Sequence, residues 1–90
     1  MSRRWTASEI AGRLARLVDE HGAPNHFQIG EVTGDHGDRA ARLAVAGVVR
    51  LQAWAVNDHL KARGLAATYH PRRKDGPAHI GVERIAAASK

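Results

Sequence analysis

The sequence predicts an α+β fold, three helices followed by a small antiparallel β-hairpin, and three observations predict it. Apolar residues recur at helical spacing as far as residue 63, the period changes to two after Gly64, and a turn rich in Pro, Gly and charge divides the alternating stretch. A chain of 90 residues holds one hydrophobic core of this kind and not two, so residues 1–90 are read as a single domain.

The first helix is expected over residues 6–21. Thr6 and Glu9 stand three apart as in a capping box, and Trp5 and Ile10 have the spacing of a hydrophobic staple across that cap. Ile10, Leu14, Leu17 and Val18 supply the apolar stripe, and Gly22 with Pro24 ends it. Residues 27–32 are read as a short strand, because Phe27, Ile29 and, loosely, Val32 alternate; a helical turn is the other reading. Gly34, Asp35, His36 and Gly37 form a turn. Asp38 then caps a second helix, 38–46, which Gly47 breaks. A third helix is expected over 50–63, closed by Gly64. The alternative, one helix across 38–63, carries Gly47 in its interior at a cost of about 1 kcal/mol.

The hairpin is expected over 65–84. Leu65, Ala67 and Tyr69 alternate, Pro71 to Pro77 form the turn, and Ala78, Ile80 and Val82 alternate again. Asp75-Gly76 is a turn-favouring pair, and the flanking prolines suit positions where strand pairing ends. Residues 86–90 read as a frayed tail.

Several functions are disfavoured. Without cysteine there is no disulfide, thiolate metal site or cysteine nucleophile, and cytoplasmic residence is expected. The basic start runs into Ala-Ser-Glu-Ile rather than an apolar stretch, which argues against a signal peptide, and no segment has membrane-spanning length. The histidines, His21, His26, His36, His59, His70 and His79, follow no ligand spacing, so neither metal nor cofactor is expected; His70 and His79 face each other across the hairpin as a strand pair. No phosphate loop, nucleophile elbow or two-histidine helix motif occurs, so the chain is not read as an enzyme. Aromatics are too few for the stacking platforms of single-strand readers.

Charge is unevenly placed. Residues 1–60 carry seven basic and seven acidic side chains, whereas 61–90 carry seven basic against two acidic, which accounts for the net charge of +5. The hairpin tip concentrates it in Arg72, Arg73 and Lys74, a surface suited to a polyanion.

From Gly47, the small residue Ala53, then Val56 and Leu60, then Leu60-Lys61-Ala62-Arg63-Gly64-Leu65 and a basic hairpin follow in order. In this succession residues 38–85 resemble the winged helix-turn-helix superfamily, most closely regulators of the multiple-antibiotic-resistance type, although Leu43 stands where that family has a small residue. The resemblance implies double-stranded DNA as partner, a third helix in the major groove and a wing on the backbone or minor groove. The residues it nominates are Arg50, Gln52, Trp54 and Lys61 on that helix, Arg72, Arg73 and Lys74 on the wing, and Arg39 and Arg42 in support; Gln52 suits adenine and Arg50 guanine. Trp54 is also expected to pack on the first helix or the hairpin. The function expected is a small transcriptional regulator or accessory DNA-binding factor. A second reading makes the domain a protein-interaction module, or a homodimer, through Leu51, Trp54 and Ala55.

Overall fold

A computed structural model describes residues 4–35 and 37–85. Among them the chain forms four helices and a three-stranded antiparallel sheet, an α+β architecture. His36 of the expected turn and the expected tail at 86–90 lie outside the described residues.

Helix α1 (Ala7–His21) starts where the Thr6 hydroxyl accepts a hydrogen bond from the Glu9 amide at 3.1 Å. Trp5 before the cap and Ile10 in the first turn are both buried, as the staple spacing requires. Ile10, Ala11, Leu14, Ala15 and Val18 form its buried face.

The stretch expected as a strand over 27–32 divides in two. Strand β1 (Asn25–Gln28) is followed without a break by helix α2 (Ile29–Thr33). The Gln28 amide donates to the Glu31 carboxylate at 2.7 Å, which holds the first turn of α2 and outweighs the weak alternation. Arg13 of α1 donates to the Val32 and Thr33 carbonyls at 3.0 and 3.1 Å. Gly34 ends α2 at φ +79°, a backbone conformation that favours glycine, and a Cβ there would displace the Arg13 guanidinium, 2.6 Å away.

The helix boundaries after Asp38 are a second correction. The Asp38 carboxylate accepts from the Ala41 amide at 3.1 Å and opens helix α3 (Arg39–Leu51), which passes through Gly47 without a break. Val45 and Val49, one turn apart, are buried on either side of that glycine, and their burial outweighs its weak helix propensity. The chain bends instead at Gln52 (φ −126°, ψ 39°), whose amide donates to Val48 at 2.7 Å and whose carbonyl accepts from Val56 at 3.2 Å. Helix α4 (Ala53–Lys61) follows. Neither a break at Gly47 nor an uninterrupted helix over 38–63 is found.

Gly64, at φ +71°, turns the chain into strand β2 (Leu65–His70), and β3 (His79–Arg84) returns between β1 and β2. Helix α4 lies against α1 and β2, and α3 lies against α2. The core joins Ile10, Leu14, Val32, Val56, Leu60 and Ile80, all fully buried. The outer edge of β2 is closed by Asn57 of α4: its Nδ2 donates to the Ala67 carbonyl at 3.0 Å and its Oδ1 accepts from the Ala67 amide at 2.7 Å. At the hairpin tip Arg73 and Gly76 exchange backbone hydrogen bonds of 3.0 and 3.2 Å, so Lys74 and Asp75 are the central turn residues and Gly76 closes the turn.

The sheet has two unlike faces. Phe27, Leu65, Ala67, Ile80 and Val82 turn inward and are buried. On the other face the pairs Gln28↔His79, His26↔Gly81 and His70↔His79 gather His26, His70 and His79: the expected His70–His79 strand pair is present, and His26 of β1 joins it although no ligand spacing in the sequence marks the three. No described helix is long and apolar enough to cross a membrane.

Candidate functional site

Helical spacing puts Arg39, Arg42, Leu43 and Ala46 on one face of α3, three, four and seven residues on from the first. That face looks across a groove of about 720 Å³ toward the hairpin tip. Arg39 and Arg42 line one side, Arg72, Arg73 and Lys74 the other, and no Asp or Glu is among the lining residues. The floor comes from the β1–α2 junction, Gln28 to Gly30, with Tyr69 of β2.

The cations are differently held. Arg39, Arg72, Arg73 and Lys74 are exposed, whereas Arg42 is half-buried and its Nη1 is enclosed with no hydrogen-bond partner among the described residues. A guanidinium nitrogen out of water without an acceptor is costly, which sets Arg42 apart from the other four cations. Five cations within one concavity also raise the local concentration of anionic ligands.

Five of the nine residues nominated from the sequence thus meet in one place. The other four lie elsewhere. Arg50 is exposed in the last turn of α3, Gln52 is the exposed bend between α3 and α4, and Lys61 is exposed at the end of α4. Trp54 is 72% exposed and Leu51 69%, so the expected packing of Trp54 on the first helix or the hairpin does not occur. The stripe of Ala53, Val56 and Leu60 does turn inward, with Val56 and Leu60 buried. Asn57 beside it holds β2.

The residues missed from sequence are Leu43, Ala46 and Tyr69. Their signal was present: Leu43 and Ala46 stand four and seven residues on from Arg39 within the expected second helix, and Tyr69 has the inward parity of Leu65 and Ala67. No protein-family model, curated protein or solved structure matches this chain.

Proposed function

We propose that this protein binds double-stranded DNA as a winged helix-turn-helix domain, in the manner of a small transcriptional regulator or accessory DNA-binding factor. The groove shared by α3 and the hairpin tip carries the reading, because it sets five cations and no carboxylate around an unpartnered Arg42 nitrogen. Phosphate oxygens complement each of these features. The hairpin of β2 and β3 and the sheet order with β3 between β1 and β2 support it too, whereas the helices depart from the expected succession, since Gly47 lies inside α3 and α4 stands between α3 and the hairpin. In this arrangement α2 and α3 form the helix-turn-helix, α3 enters the major groove with its Arg39–Arg42 end nearest the wing, and Arg72, Arg73 and Lys74 contact the backbone. The reading helix is α3 rather than 50–63.

Fluorescence anisotropy on a generic duplex at several salt concentrations tests it. Replacing Arg39 and Arg42 with Ala, or Arg72, Arg73 and Lys74 with Ala, should weaken binding and flatten the salt slope by about 0.9 for each phosphate no longer neutralised. Arg16→Ala, on the exposed side of α1, serves as control. Unchanged affinity and slope in both sets of variants reject the groove as the DNA site.

The exposure of Leu51 and Trp54 favours a second reading, a protein-interaction module or homodimer using that apolar pair with Ala55. A folded sample that leaves duplex unretarded at low salt, and whose self-association is abolished in Trp54→Ser, supports this reading over the first.

A further inference from the structure

On the face of the sheet turned away from the core, we propose that His26, His70 and His79 form a binding site for a divalent transition-metal cation of the zinc type. They come from three different strands, and one ring nitrogen from each lies within 4.8 Å of the others. The rings are already mutually packed: His70 and His79 stack with centroids 4.7 Å apart, and His26 meets them at 5.8 and 5.2 Å. Imidazoles on one zinc ion, with bonds of about 2.0–2.1 Å in a tetrahedral arrangement, have nitrogens about 3.4 Å apart. Modest side-chain rotation closes that difference, and it is open to these rings because His26 is exposed and the other two are half-buried.

Two further features favour convergence. Gly81 stands directly beneath the group, paired with His26 on one side and with Thr68 on the other. A Cβ at that position would lie 3.2 Å from His26 Nδ1 and 3.3 Å from His70 Nε2, so both nitrogens hang over one backbone position and a side chain there would press them aside by a few tenths of an ångström. The second feature is the contact of 3.2 Å between His79 Nδ1 and the Pro77 carbonyl. A carbonyl only accepts, so Nδ1 carries the hydrogen and Nε2 keeps its lone pair for a metal, the outer-shell bond that orients metal-binding histidines. A depression lined by His70, His79, Asp75 and Arg73 opens beside the rings. Three imidazoles leave the remaining coordination position to water or another ligand.

The site and the DNA groove use different side chains, so the two proposals stand or fall separately. The test is calorimetric titration of the full chain, without a polyhistidine tag, with ZnCl₂, and with Co²⁺ followed by its visible absorption. One equivalent should bind to the wild type. Each of His26→Ala, His70→Ala and His79→Gln should weaken it by at least the about tenfold loss that removal of an outer-shell partner produces. Gly81→Ala keeps all three imidazoles but places a methyl beneath them, and should weaken binding as well. His59→Ala, exposed on α4, should leave it unchanged. Zinc should raise the melting temperature of the wild type and not of His79→Gln. Absence of saturable binding to the wild type overturns the proposal, as does equal affinity in the wild type and His79→Gln.

Discussion

Single side chains hold this small molecule together at places where helices meet strands or other helices. Asn57 makes three hydrogen bonds, one to Ala53 within α4 and two to the backbone of Ala67, so it does for β2 what a fourth strand would do. Asn57→Ala leaves the Ala67 amide and carbonyl without these partners and should lower stability by about 1–3 kcal/mol in denaturant unfolding. A change near zero would show that water replaces the side chain at no cost. The asparagine was legible as a residue near the buried stripe of its helix, but its partner lies ten residues away on a strand whose position depends on the Gly64 turn. Arg13 is similar. Its spacing shows only a basic residue on a helix, whereas its function as a brace appears once α2 ends against it.

At the level of elements, glycine has opposite meanings in two places where the sequence suggests one. Gly47 and Gly64 both look like helix punctuation. Gly64 is: its φ of +71° is a conformation that side chains disfavour, so Gly64→Ala should destabilise by about 1–2 kcal/mol. Gly47 is an ordinary helical residue with nothing within 4 Å of where its Cβ would be. Gly47→Ala should therefore stabilise by about 0.5–1 kcal/mol, measured as a higher denaturant midpoint at unchanged slope. The difference was invisible in sequence because propensity is local, while the burial of Val45 and Val49 that carries α3 past residue 47 is tertiary. The caps at Thr6 and Asp38 were readable, since each is a hydrogen bond between residues three apart. The 27–32 stretch was not, because Phe27 and Ile29 fit the strand period while Ile29 and Val32 fit the helical one, and the Gln28–Glu31 bond decides between them.

For the molecule as a whole, the layers are joined through aliphatic side chains, since Trp5 and Phe27 are the only buried aromatics among the described residues. Leu60, fully buried where α4 faces α1 and β2, is the clearest of these, and Leu60→Ala should cost about 2–5 kcal/mol in the same unfolding measurement. A loss below about 1 kcal/mol would mean that the helices close over the space, outside the range seen for well-packed cores. The same assembly creates the two candidate sites. It sets Arg39 and Arg42, from a half of the chain with no net charge, opposite the basic hairpin tip, and it brings His26 from β1 beside the His70–His79 pair.

Short-range rules sufficed for the α+β class, the first helix and its cap, the hairpin with its basic tip, and the facing of His70 and His79 across it. Each rests on hydrogen bonds or periodicities that span a few residues or one turn. The path of α3 through Gly47, the exposure of Trp54, the five-cation groove and the third histidine were decided by tertiary structure. Each depends on which distant elements compete to bury the same apolar surface, and in a core built mostly of Val, Leu, Ile and Ala that competition is settled by the fit of the whole assembly rather than by any single stretch of chain.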